Sequence, residues 1–237
     1  MKERPILFSA PMVQALLTGR KTQTRRIIKP QPDHSQYHEF GGKLIHESDH
    51  RMWCWKNVVV DNIWDFPGND DRKELAAASP YGVPGDQLWV RETWTSAYQN
   101  GCFGTAMRAD NSFSQGKRMH PKGPHFHAKE LGEHVRWRPS IFMPRWASRI
   151  SLDFVEVRVQ RLQEISEEDC IAEGVERWVV GDGWREYGLS AKDEAVCGPP
   201  MPTAKDSYRT LWESINGPGS WSANPFVWAL TFKEVSR

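Results

Sequence analysis

Hydrophobic positions fall at helical spacing near the amino terminus. Met12, Val13, Leu16 and Leu17 follow Ser9, an N-cap residue type, and Pro11, which suits a first turn. Gly19 ends the pattern, so a helix is predicted between Ser9 and Gly19. Thr22, Thr24, Ile27 and Ile28 then favour an extended continuation. A second clear pattern spans 154–162, where Val155, Val157 and Val159 alternate with Glu156, Arg158 and Gln160. That period of two predicts a strand with the valines on one face. Ser166-Glu-Glu-Asp169 has the form of a capping box and opens a short helix that stops at Gly174. Tyr208, Leu211, Trp212 and Ile215 mark an amphipathic helix closed by Gly217-Pro218. Asn224-Pro225 precedes a last strand over 226–235.

Elsewhere the pattern is less regular. Residues 31–80 read as a loop-rich insertion with one or two short strands, around Trp53-Cys54-Trp55 and Val58-Val59-Val60. Pro80 to Asp86 is a turn cluster leading into a strand over 87–94, in which Leu88, Val90 and Glu92 alternate with Trp89, Arg91 and Thr93. Residues 101–110 have room for one more strand, and 111–139 read as loop. A further loop-rich insertion covers 177–202. The expected class is α+β: a small β-barrel or strongly bent sheet with three helices and insertions at about 31–80, 100–140 and 177–202.

A length of 237 residues suits one domain with long insertions, large enough to need no disulfide or metal staple. Cys54, Cys102, Cys170 and Cys197 form no C-x-x-C pair and read as free thiols of a reducing, cytoplasmic compartment. No apolar run reaches the length of a membrane span, and the amino terminus lacks the apolar stretch of a signal peptide. Twelve tryptophans argue for a packed core or aromatic binding walls and against disorder, despite a mean hydropathy of −0.64.

Charge changes the picture more. The net charge is +1, which excludes a bulk polyelectrolyte binder. Yet residues 1–30 carry seven bases (Lys2, Arg4, Arg20, Lys21, Arg25, Arg26, Lys29) against Glu3 alone. Residues 164–176 carry six acids and no base: Glu164, Glu167, Glu168, Asp169, Glu173 and Glu176. An arbitrary charge run is usually a solvated face. The basic run, however, contains Gly19-Arg-Lys-Thr-Gln-Thr-Arg-Arg26, placed just after a helix end.

That motif resembles the mark of the ASCH domain, a PUA-like β-barrel superfamily, G-x-K-x-x-[TE]-x-R, matched by Gly19, Lys21, Thr24 and Arg26. Gly85-Asp86-Gln-Leu-Trp-Val-Arg-Glu92 is similar to its G-D-x-L strand start, and 157–174 to its strand followed by an L-x-x-I-[ST]-x-E helix. The strand from Asn224 fits the last barrel strand. The four segments cover about half of the chain in the family's order, and the whole resembles its longer phage and prophage members. The resemblance implies recognition of RNA or a nucleoside in a barrel cleft. Among the small bacterial N4-acetylcytidine amidohydrolases of this family the working residues are a Lys, a Thr and a Glu. They correspond here to Lys21, Thr24 and, in the register set by Ile165-Ser166-Glu167, Glu173.

Amide hydrolysis without a metal needs an activated base or nucleophile and a stabiliser for the oxyanion. A lysine serves when burial and neighbouring cations lower its pKa, and Lys21 lies among Arg20, Arg25 and Arg26. Thr24 would hydrogen-bond with it, and Glu173 would orient the pair or carry the proton. Arg26 and Arg25 would hold a phosphate or carbonyl, with Phe8 and then Trp89 as walls on which a base stacks. No metal or cofactor is expected. His120, His125, His127 and His134 complete no usual zinc pattern, and nucleotide-loop and serine-hydrolase motifs are missing. Two alternatives stand beside catalysis. One is a phosphate-binding groove that recognises RNA or a modified base without turnover. The other is a phage module whose loops bind a protein, since fold does not imply function.

Overall fold

The computed structural model describes residues 1–29, 31, 53–55, 58–60, 76–99, 102–110, 113–115, 126–127, 137–178, 181–188 and 200–234. Pro11 sits in the first turn of α1 (Ala10–Leu17), where its missing N–H costs no hydrogen bond. Gly19, at φ +71°, turns the chain out of the helix. The N–H groups of Gly19 and Lys21 donate to the carbonyls of Leu16 and Ala15 at 2.9 and 3.0 Å, satisfying two otherwise orphaned acceptors. Ser166 caps α2 (Glu167–Ala172) as its box predicts: its hydroxyl accepts the Asp169 N–H at 3.1 Å. Thr203 does the same for α3 (Ala204–Asn216), accepting from the Asp206 N–H at 3.0 Å. Tyr208, Leu211 and Trp212 are buried, whereas Ile215 is 62% exposed. The apolar stripe therefore stops a turn earlier than its spacing suggests, because the final turn, with Ser214 and Asn216 also exposed, extends beyond the packed part of the helix.

Two compact units share the chain, each assembled from separate stretches: 1–21, 85–154 and 232–237 in one, 22–84 and 155–231 in the other. In the first, β1 (Glu3–Leu7) runs parallel to β5 (Gln87–Arg91), with Ile6 opposite Val90. β5 also pairs antiparallel with the start of β10 (Ser151–Arg161), Leu88 opposite Leu152. Ile6, Leu88, Val90, Leu152 and Phe154 are buried, each contributing about 1.5–3 kcal/mol over the exposed side chain. A separate four-stranded sheet has the order β8-β7-β6-β9, from β6 (Trp94–Gln99), β7 (Cys102–Met107), β8 (Phe113–Gln115) and β9 (Phe126–His127). This corrects two expectations. The strand predicted over 87–94 is broken after Arg91, and 111–139 is not all loop. Strands of two and three residues are too short to show a period of two.

In the second unit β2 (Gln23–Ile27) pairs antiparallel with β11 (Phe226–Glu234), Thr24 opposite Leu230 and Arg26 opposite Trp228. β3 (Trp53–Trp55) and β4 (Val58–Val60) pair as an antiparallel ribbon within the 31–80 insertion. The valine face predicted for β10 is only partly buried: Val159 is inside, but Val155 is 41% exposed. Leu152 and Phe154, two and four residues into the strand, take the inward positions at its start, which puts Val155 on the opposite side. Across the chain the main sheet has the order β1-β5-β10-β11-β2. The class is α+β; among the described residues there are three helices of six residues or more and a strand order open at β1 and β2. No helix among the described residues is long and apolar enough to cross a membrane.

Candidate functional site

The basic motif does not form a solvated face. Lys21, Thr24 and Arg25 are each 4% exposed, and so is Glu173 of the acidic run. Arg26 is half-buried, while Arg20 and Thr22 are exposed. The alternation comes from local geometry. The chain leaves α1 at Gly19, turns once, and enters β2, whose Thr24 and Arg25 face into packed structure.

In the second unit the motif meets the acidic run directly. The Thr22 N–H donates to the Ala172 carbonyl at 2.8 Å, which fixes the start of the motif strand beside the end of α2. Arg25 then reaches two carboxylates. Its Nη2 donates to Asp169 Oδ2 at 2.6 Å and its Nη1 to Glu173 Oε1 at 3.2 Å. The Tyr208 hydroxyl of α3 also donates to Glu173 Oε1, at 3.4 Å. Gln23 Nε2 and Arg158 Nη2 donate to Asp169 at 2.9 and 3.1 Å. The result is an ionic cluster, buried at Arg25, Glu173 and Tyr208 and partly exposed at Asp169 and Arg158, in which each carboxylate has a cation or donor at hand.

The electrostatics follow from that arrangement. Burial disfavours the Arg25 charge, but the charges of Glu173, Tyr208 and Asp169 outweigh it and raise the guanidinium above its ordinary value. Burial likewise disfavours an ionised Asp169, yet Arg25, Gln23 and Arg158 hold its carboxyl below the usual range. Burial, and then the Glu173 charge, push the Tyr208 phenol well above its ordinary value, so it remains a donor. Cys170, also buried in α2, is pushed up to about 12 by burial, which leaves it an inert thiol.

Lys21 belongs to the first unit, where its Nζ stands 5.8 Å from the centre of the Phe8 ring, within cation–π range. Phe8 is buried and packs edge-on against Phe232 with ring centres 6.1 Å apart. Trp89 is buried too, with the guanidinium groups of Arg91 and Arg145 at 4.6 and 5.9 Å from its ring. Both proposed stacking walls are thus engaged by side chains of their own unit. Of the sequence-predicted residues, the structure brings together Arg25 with Glu173, and Lys21 with Phe8. Arg25, expected at the substrate, has its two terminal nitrogens on Asp169 and Glu173.

Tyr208, Asp169, Gln23 and Arg158 escaped the sequence reading as site residues. Tyr208 registers in the sequence as a core position and Asp169 as a helix cap. The available signal is that a phenol on an apolar stripe needs a polar partner when buried. The histidines 120, 125 and 134 lie outside the described residues, and among those described no cluster of three metal-ligating side chains occurs. Comparisons with protein-family models, characterised proteins and solved structures find no match to this chain.

Proposed function

We propose that this chain is an ASCH-type, PUA-like module that recognises RNA or a modified cytidine, and that its chemistry is hydrolysis of the acetyl amide of N4-acetylcytidine. One observation carries the reading: Lys21, Thr24 and Glu173, which the motif register singles out, are polar side chains kept almost entirely from water, as is Arg25. Burying charge is costly, so such positions are unusual unless they position one another or a ligand. In this reading water adds to the acetyl carbon, the carbon–nitrogen bond breaks, and the proton goes to the departing amino nitrogen, giving cytidine and acetate. Lys21 is assigned the base or nucleophile, Thr24 its hydroxyl partner, and Glu173 the proton carrier. Arg26, half-buried on β2, is assigned the substrate's phosphate or carbonyl.

The test is incubation of the intact chain with N4-acetylcytidine, following cytidine and acetate by chromatography. Turnover is expected, with a loss of about 100-fold or more in Lys21→Ala whose circular dichroism and melting match the parent. Absence of turnover by the intact chain refutes the catalytic form.

A second reading has an observation in its favour. Glu173 already accepts from both Arg25 and Tyr208. A carboxylate so engaged suits positioning better than proton abstraction, which favours recognition without turnover. Calorimetry showing that the nucleoside binds but is not consumed would select it.

A further inference from the structure

The first unit carries a feature that the motif does not account for. Ile141 is 58% exposed, Phe142 71% and Trp146 51%, within eight residues of an otherwise well-anchored segment. Pro139 and Pro144 each start a single 3-10 turn, Ser140–Phe142 and Arg145–Ala147. The turns are closed by N–H donation from Phe142 to Pro139 and from Ala147 to Pro144, both at 3.1 Å. Met143 and Ala147, between and after the exposed rings, are buried with Trp94 and Met107. Ser148 donates its hydroxyl to the Val90 carbonyl at 2.8 Å. The rings are therefore presented outward by a fixed backbone, which lowers the ordering cost of binding anything to them.

Arginines of the same unit stack on the buried tryptophans Trp94 and Trp89. Arg138 lies 5.0 Å over Trp94, and Trp94 meets Trp146 edge-on at 5.9 Å. Arg91 lies 4.6 Å over Trp89 and donates its Nη1 to the Ile141 carbonyl at 3.2 Å. Arg145 and Arg149 are paired with acids, Glu3 in the first case and Glu92 with Asp110 in the second. Arg91 and Arg138 meet no carboxylate among the described residues. The segment thus combines exposed aromatic side chains with two arginines that, among the described residues, meet no carboxylate.

The geometry points to a binding platform for single-stranded nucleic acid, in which Phe142 and Trp146 stack bases and Arg91 and Arg138 hold phosphates. Stackable rings beside cations are what a strand needs, and every base offers a face to stack. A stable protein interface needs roughly 800 Å² from each partner. Three partly exposed side chains offer roughly half of that. The platform does not depend on the chemistry proposed for Lys21, since all of its residues lie in 85–154.

The experiment is fluorescence anisotropy of the full chain with a labelled twelve-nucleotide oligouridylate over a range of salt. Binding is expected, with log K falling against log salt at a slope of about −1.4 for two phosphates. Phe142→Ala and Trp146→Ala should each weaken it about 5- to 150-fold, as loss of one stacked base does. Arg138→Gln should reduce the salt slope by about 0.7. Circular dichroism checks that each variant is folded. No binding by the intact chain overturns the proposal, as does binding that all three variants leave intact. So does concentration-dependent self-association of the intact chain that Phe142→Ala abolishes in the absence of oligonucleotide affinity, which would make the face a protein contact. Nucleoside turnover is a separate measurement, so failure of one proposal is distinguishable from failure of the other.

Discussion

Replacing Arg25 with Met keeps most of the side-chain volume and removes a cation bonded to both Asp169 and Glu173. Glu173 keeps the Tyr208 hydroxyl and Asp169 keeps Gln23 and Arg158, but both lose the guanidinium between them. Removing one partner of a buried ion pair costs about 3–5 kcal/mol, because the stranded charge remains buried. For a chain of this size that corresponds to a fall of about 6–20 °C in Tm. The pH dependence makes the assignment specific. Asp169 is held below its ordinary value when folded, so its pairing contributes fully above an unfolded pKa of about 4 and is lost as pH falls through the lower, folded one. The variant lacks the share of that contribution that Arg25 supplies, while Gln23 and Arg158 keep theirs. Its deficit should therefore be largest near neutrality and shrink below about pH 4. Urea titration followed by tryptophan fluorescence, at pH 7 and again below pH 4, measures both quantities. Glu173→Gln added to Arg25→Met should recover part of the loss, since the stranded charge is then gone. A deficit under about 1 kcal/mol at pH 7, or one that stays constant on acidification, would refute the claim that this cluster is held by charge.

Two further outcomes rest on α2. Glu167 accepts the N–H groups of Ala204 and Lys205 at 2.8 and 3.2 Å, capping α3 from a neighbouring helix. Glu167→Ala should cost about 1–2 kcal/mol in thermal or urea unfolding, and no measurable change would show that the cap is idle. The Cys170 thiol, buried and raised to about 12, should resist a thiol reagent at pH 8 until denaturant is added. Peptide mass mapping that finds Cys170 labelled in the folded chain would contradict its placement.

The elements with strong local signals were legible in the sequence. Ser9 with Pro11, the Ser166 box and the Gly217 stop all lie where the chain begins or ends a helix. Each is a local interaction, so sequence spacing suffices to find it. In the four-stranded sheet the strand expected within 101–110 is β7, whereas β6, β8 and β9 were missed: Asn-Gly at 100–101 is an unused hairpin signal, and β8 and β9 are too short to show a period. For β10 the period was right but the inward parity was not, because Leu152 and Phe154 set it from upstream of the valines. The site divides in the same manner. Motif register singled out Lys21, Thr24 and Glu173, which are buried in the structure. The partners Asp169 and Tyr208 stand 144 and 35 residues from the groups they serve, and no pattern within one segment encodes that.

The bond from Glu167 to the start of α3 has a consequence for how the molecule opens. α2 has six residues, too few to hold helical form by its own hydrogen bonds. Its second role is to cap a thirteen-residue helix. If α2 frays, α3 loses the acceptor of its first two N–H groups and keeps only the Thr203 cap, which loosens the frame that keeps the Tyr208 hydroxyl on Glu173. The two helices therefore form one cooperative unit for amide exchange, with protection set by the weaker member. Whatever the buried carboxylate does, its exposure to solvent is governed by a helix of fewer than two turns.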